Sequence, residues 1–248
     1  MGQQIKCLFE LVLPCYNEEK SLMKIVDNTI KAARSYGFCD KSFKLLLVEN
    51  GSKDNSQQVC EELLQNLEIS PWIKVVRIKE NKGYGNGIYQ GLRASSADVI
   101  GWTHADEQCD PLDAFRGYEA LKKSHKQRVL VKGSRVGRKL VDKCISRIFE
   151  KLASVHLGYT FHEINAQPKI FHRGLLEICS SPPLDFSFDL YFVYMSLKHG
   201  FYIETILVKF PARTYGFSNW SYGIKNKFKH IKRMILYMRQ LAKSEREL

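Results

Sequence analysis

Short β-branched and leucine-rich runs alternate along this chain with segments whose apolar residues recur every three or four positions. Strands are expected at Phe9 to Leu13, Leu45 to Val48, Ile73 to Ile78, Val99 to Thr103, Arg128 to Lys132 and Ile203 to Phe210. Between the early ones, Leu22, Ile25, Val26, Ile30 and Ala33 keep helical spacing, as do Val59, Leu63, Leu64 and Leu67. Asp54 is placed to cap the second helix, and Asp110-Pro111 sets a cap before a proline at the first helical position. Alternation of this kind predicts an α/β fold, a mostly parallel sheet with helices on both faces. No internal repeat or low-complexity linker interrupts it. One domain over residues 1–221 is expected, followed by an appended helix over 222–248.

Composition narrows the class. Of 248 residues, 44% are hydrophobic and 26% charged, ordinary for a globular chain and unlike a disordered one. No apolar run approaches the ~20 residues that span a bilayer. The stretch Leu8 to Leu13 is short, contains Glu10 and ends at Pro14, so it does not read as a signal peptide. The seven cysteines are odd in number and include no Cys-x-x-Cys pair, which argues against a zinc site or a disulfide framework. The expected location is the cytoplasm.

Charge changes the picture at one end. From Tyr222 to Leu248 there are eight Lys or Arg and two Glu, so this stretch supplies +6 of the formal net +12. Ile224, Phe228, Ile231, Ile235, Met238 and Ala242 recur at helical spacing among Lys225, Lys227, Lys229, Lys232 and Arg233. A basic amphipathic helix of this kind either lies on a membrane surface or membrane-bound partner, or packs its apolar stripe on its own domain. Peripheral attachment at the cytoplasmic membrane face is thus open to the chain. Nucleic acid is the weakest partner, since no stacking-aromatic motif accompanies the charge.

In open parallel sheets ligands bind beyond the carboxyl ends of the strands, and the polar turn segments lie there. They are Pro14-Cys15-Tyr16-Asn17-Glu18-Glu19, Glu49-Asn50-Gly51-Ser52-Lys53-Asp54, Asn81-Lys82-Gly83-Tyr84-Gly85 and His104-Ala105-Asp106-Glu107-Gln108. Each alone is weak evidence, and the Gly-x-Gly-x-x-Gly dinucleotide fingerprint is absent. Four in order, each after a predicted strand, are specific as a set.

Together these segments resemble the family 2 glycosyltransferases of the GT-A fold, particularly the dolichol- or polyprenyl-phosphate sugar transferase branch, over roughly Leu11 to Trp220. Two departures stand out. Glu49-Asn50 replaces the usual Asp-Asp, and His104 replaces the first aspartate of Asp-x-Asp. The resemblance implies that Pro14, Tyr16, Glu18, Asn50 and Asp54 line the nucleoside pocket of a nucleotide-sugar donor. It implies that Lys82, Gly83 and Gly85 approach the donor, and that Arg213 and Ser218 close over its phosphates. Asp106 and Gln108, with His104, would hold a divalent cation, Mn²⁺ or Mg²⁺, on the diphosphate. Ser134 and Arg135 match the segment that contacts the acceptor phosphate, Lys169 stands where an arginine is common, and Asp189 matches an acidic position near the acceptor.

The expected activity is inverting transfer of a sugar from a nucleotide diphosphate to a polyprenyl phosphate, with Asp106, Arg135 and Asp189 as the catalytic set. A phosphate acceptor is already anionic and needs no strong base. With a soluble or surface glycan as acceptor, Asp189 would be the base. A non-catalytic nucleotide-sugar-binding subunit is the remaining alternative.

Overall fold

The computed structural model describes residues 7–106, 108–211 and 224–244, with side chains in the last segment from 232 to 243. Its elements are β1 (Phe9–Cys15), α1 (Leu22–Ser35), β2 (Phe43–Asn50), α2 (Ser56–Gln65), β3 (Ile73–Ile78), α3 (Tyr84–Ala94), β4 (Val99–Trp102) and α4 (Pro111–Lys123). Then follow β5 (Val129–Val136), α5 (Leu140–Leu157), β6 (Lys169–His172), α6 (Gly174–Ile178), α7 (Phe188–Lys198), β7 (Tyr202–Lys209) and α8 (Ile224–Ser244). The strands form one sheet in the order β3-β2-β1-β4-β6-β5-β7. All pairs are parallel except those of β6, which runs antiparallel between β4 and β5.

Alternation along β1 explains the two layers. Phe9, Leu11 and Leu13 point into a core closed by α1, α2 and α4, whereas Val12 joins Trp102, Leu130 and Phe171 in a second core under α3, α5 and α7. Glu10 shares that second direction at 0% exposure, where Lys74, Ser95 and the Ser96 and Ala97 N–H groups all donate to it. Burial alone would raise its carboxyl, but those donors outweigh it and hold the group below its ordinary value.

The mostly parallel α/β architecture is as expected, with local differences. The second helix ends at Gln65, so Leu67 lies beyond it and is 87% exposed. Its N-cap residue is Asn55, not Asp54. Asp110 does cap α4, accepting from Leu112 N at 3.0 Å ahead of Pro111. The fifth strand extends to Val136, so Gly133, Ser134 and Arg135 lie within it instead of following it. β6, only four residues long, is the strand with no counterpart among those expected. α7 is apolar on every side because it is buried on nearly every side. In α8, Met234 and Met238 are buried against the domain, and the helix packs on α5. The described part of its apolar stripe is therefore occupied by the protein itself.

Candidate active site

The carboxyl ends of β1, β2 and β4 and the start of the antiparallel β6 meet at one edge of the sheet. There Trp102 of β4 and Lys132 of β5 both lie in register with Lys169, the first residue of β6. That register brings distant segments together at this end of the sheet.

On one wall the loops after β1 and β2 are knitted together. Asn17, with a left-handed φ of 57°, accepts from Lys53 N at 2.8 Å and donates its own N–H to Ser52 Oγ. Glu18 N donates to Ser56 Oγ, and Glu19 N to Asp54 Oδ2. Asp54 Oδ1 accepts from both Ser56 N and Ser56 Oγ, at 3.0 and 2.6 Å. Its carboxylate thus braces two loops. Glu18 accepts from Ser21 Oγ, and Glu49 from Ser52 N. Pro14 and Tyr16 are half-buried beside them. Asn50 is buried and donates through Nδ2 to Gly83 O at 3.1 Å, while its Oδ1 has no hydrogen-bond partner.

The glycines expected to approach the donor also lie close against protein. A Cβ on Gly83 would lie 2.3 Å from Leu184 O, and one on Gly85 would lie 2.5 Å from Pro183 O. Gly83 also holds φ at 120°. The close approach these residues permit is that of the segment before α7, and Lys82 alone of this loop's expected residues is exposed.

The second wall is built from buried charge. Asp189, at the start of α7, accepts from Lys169 Nζ at 2.5 Å and Gln167 Nε2 at 3.0 Å through Oδ1, and Gln167 Nε2 also donates to Tyr84 Oη at 3.2 Å. Lys169 is 0% exposed, gives a further bond to Ala166 O, and lies 5.2 Å over the Trp102 ring. Burial lowers its ammonium from the ordinary value against the pull of Asp189. Burial raises the Tyr84 hydroxyl well above its usual range, with nearby Asp189 adding to it. The Tyr84 ring stacks on Phe186 at 5.3 Å and lies 6.0 Å from His104.

His104 and Asp106 follow β4. Burial lowers the His104 imidazole, outweighing the opposing carboxylates of Asp106 and Asp189, so the ring is neutral near neutral pH. Asp106 Oδ1 accepts from Gln108 N, and the Gln108 amide donates to Pro211 O at 3.0 Å. Among the described residues no group of three His, Cys, Asp or Glu side chains converges as a metal cage. A carboxylate beside a neutral imidazole is nevertheless a fitting pair of donors for a cation whose other ligands are phosphate and water.

Further along the same wall, Arg135 Nε donates to Glu163 Oε2 at 2.5 Å and Arg138 Nη1 to Glu163 Oε1 at 3.1 Å. The Glu163 carbonyl accepts from Lys132 Nζ at 2.9 Å, and its N–H donates to Glu150. Glu163 takes a φ of 45°, unusual for a residue with a side chain. Lys132, 1% exposed, is pushed down to about 7 by burial and then by neighbouring Lys169. Ser134 is half-buried on the same strand. Arg213 and Ser218 lie outside the described residues.

Sequence reasoning missed Tyr84, Lys132, Arg138, Glu163 and Gln167. The one local signal was Lys132, a lysine inside the apolar run of β5. The others gain their place through β6, which no periodicity announces in four residues.

Residues 10–177 match the family description "Glycosyl transferase family 2", and the chain belongs to that family. Among similar curated proteins is an undecaprenyl-phosphate 4-deoxy-4-formamido-L-arabinose transferase of Shewanella sediminis, 32% identical over 146 residues that cover 55% of this chain and 42% of that protein. The protein of the same name from Pseudomonas paraeruginosa is 28% identical over 179 residues, 68% of this chain and 48% of its own. The chain thus spans less than half the length of these relatives. The fold matches glucosyl-3-phosphoglycerate synthase from Mycobacterium tuberculosis, solved with Mn²⁺, uridine diphosphate and phosphoglyceric acid, at a TM-score of 0.70 and 16% identity, covering 95% of this chain and 78% of that one. The same protein has been solved with Mg²⁺ and uridine diphosphate. Among the described residues no helix is long and apolar enough to cross a membrane.

Proposed function

We propose that this chain transfers a sugar, with inversion, from a nucleotide-diphosphate sugar to a polyprenyl phosphate. The observation that carries the reading is the state of Asp189. A hydroxyl acceptor needs a base, but this carboxylate is 3% exposed and already bonded to Lys169 and Gln167. Beside it the site gathers cations, Arg135 and Arg138, on a single carboxylate. Such a site suits an acceptor that arrives ionised.

An acceptor phosphate oxygen would attack the anomeric carbon as the bond from that carbon to the diphosphate breaks. The nucleoside diphosphate leaves with the electron pair, and no proton need be removed. Arg135 would hold the acceptor phosphate, with Ser134 beside it. Lys169 would act from below, fixing Asp189 and supplying positive charge without touching the acceptor. Pro14, Tyr16, Glu18, Asn50 and Asp54 would form the nucleoside side, where the unpartnered Asn50 Oδ1 offers an acceptor for a base or ribose donor. Lys82 would face the donor phosphates. Asp106 and neutral His104, with Gln108 close by, would hold a divalent cation, which when bound neutralises the diphosphate leaving group.

The polyprenyl-phosphate relatives and the uridine-diphosphate-bound fold neighbours support this reading. The test is transfer from radiolabelled UDP-, GDP- and dTDP-sugars to polyprenyl phosphate with Mn²⁺ or Mg²⁺, against 3-phosphoglycerate and a neutral oligosaccharide. Product on the lipid phosphate alone is expected. Product on the neutral glycan alone would overturn the assignment.

A further inference from the structure

Helix α5 carries an apolar stripe that lies exposed among the described residues. Leu140 is 78% exposed, Val141 69%, Ile148 62% and Val155 74%. Val141, exposed Cys144, Ile148, Lys151 and Val155 follow at steps of three and four, which places them on one face of the helix. Its opposite face is accounted for, since Glu150, Ala153 and Leu157 are buried against the domain. An ordinary solvated helix puts polar residues where this one puts aliphatics.

The charges around the stripe say what fits it. Lys139, Arg147 and Lys151 are exposed and Lys143 is half-exposed, against a single exposed acid, Asp142. Aliphatic side chains interleaved with long cations match a layer of acyl chains topped by anionic headgroups, because the stems of Lys and Arg can lie along apolar surface while their charges stay at the phosphates. The tail adds charge but no comparable apolar face among its described residues. Met234 and Met238 are buried, while Lys232, Arg233, Arg239 and Lys243 are exposed.

We propose that α5 is an interfacial helix that lies on an anionic lipid bilayer, with Leu140, Val141, Ile148 and Val155 among the acyl chains and Lys143, Arg147 and Lys151 at the headgroups. The helix begins two residues after Arg138, which shares Glu163 with Arg135. Docked this way, the protein would hold its paired arginines at the headgroup level, where a lipid phosphate is presented. That purpose rests on the polyprenyl-phosphate reading. The docking itself does not.

The experiment is flotation of the full chain with vesicles of phosphatidylcholine and of phosphatidylcholine mixed with phosphatidylglycerol. The wild type should float with the mixed vesicles. Ile148→Asp/Val155→Asp, at exposed positions where a melting curve should show the fold intact, should bind at least about tenfold more weakly. A polarity-sensitive dye on Cys144, in a Cys39→Ser background, should shift to the blue when mixed vesicles are added. Unchanged flotation of the double variant, or a dye that does not shift, would overturn the proposal. So would a wild-type dimer that the double variant dissociates together with absence of flotation, since the stripe would then cover a second copy of the chain. A parallel transfer assay with a short, water-soluble prenyl phosphate separates the two readings. Transfer without flotation defeats only the docking, and flotation without transfer to short or long prenyl phosphates defeats only the proposed function.

Discussion

The two walls of the candidate site use polar residues in opposite ways. On the wall after β1 and β2, Asp54, Glu19 and Asn17 sit on loops and spend their side chains on backbone N–H groups of the neighbouring loop. On the wall of β5, β6 and α7, charges are drawn inside the sheet, where Lys132 and Lys169 face each other in register and find carboxylate or carbonyl partners from other segments. The first arrangement fixes two loops against each other at little electrostatic cost, since loop backbone must be satisfied in any case. The second stores charge in a region of low dielectric, where each member is tolerable only because the others are present.

If that contrast is right, the largest effect comes from breaking one buried pair. Lys169→Met leaves Asp189 buried without its ammonium, and should cost about 3–5 kcal/mol of stability. Lys169→Met combined with Asp189→Leu should recover most of the loss, while activity stays low. Chemical denaturation of both variants checks this. A single variant as stable as the wild type would show that the pair is not the buried partnership described.

Next in size is the carboxylate shared by two arginines. Glu163→Gln keeps the shape but removes the charge between Arg135 and Arg138 and leaves one acceptor oxygen where there were two. Charged hydrogen bonds of this kind are worth about 1.5–3 kcal/mol, so the acceptor KM should rise roughly tenfold or more by the loss of a fixed guanidinium. The donor KM should not move. Equal changes in both would mark a general loosening of the site.

On the other wall the same kind of test should give less. Asp54→Ala removes bonds to Glu19 N, Ser56 N and Ser56 Oγ from a carboxylate that is itself only half-buried. The expected loss is about 1–2 kcal/mol, read as a lowered denaturation midpoint. A loss equal to that of Lys169→Met would erase the distinction between the walls.

The same contrast governs how much was legible in the chain. The parallel sheet, the first four loops and the cap at Asp110 follow from local rules: period, turn chemistry and the residue before a proline. The first wall was readable because its polar residues stand at strand ends and bond within neighbouring loops. Glycines 83 and 85 show the limit, since their spacing announces a close approach without saying that Leu184 and Pro183 make it. The second wall depends on an antiparallel insertion between β4 and β5, which joins residues far apart in sequence. Glu163 and Gln167 sit in a segment with no periodicity, so nothing near them in the chain reveals their partners. Lys169 was noticed, but as a contact for the acceptor and not as the buried partner of Asp189. Its burial follows from being the first residue of a central strand.

The smallest effect is the most specific, because it isolates one buried charge by its pH dependence. Lys132 loses its proton at about 7 in the folded protein, whereas an unfolded lysine keeps it up to its ordinary 10.5. Between those values the unfolded chain binds more protons than the native one, so stability must rise with pH. Below about 7 both states are protonated, and the penalty for the buried ammonium is full and constant. The contribution to the slope is at most about 1.4 kcal/mol per pH unit, reached only well above the folded value. Buried thiols act in the other direction at higher pH. Cys60 and Cys109, raised to about 11 and about 12, keep protons that unfolded thiols shed from about 9. The clean window is therefore about pH 7 to 8.5, below the ordinary thiol range. In that window the wild type should gain stability as pH rises, and Lys132→Met should lose that gain whatever its absolute stability. Urea denaturation at closely spaced pH values measures both slopes. Parallel slopes would mean that Lys132 stays charged in the fold, and that the Glu163 carbonyl and its neighbours hold its proton more firmly than burial removes it.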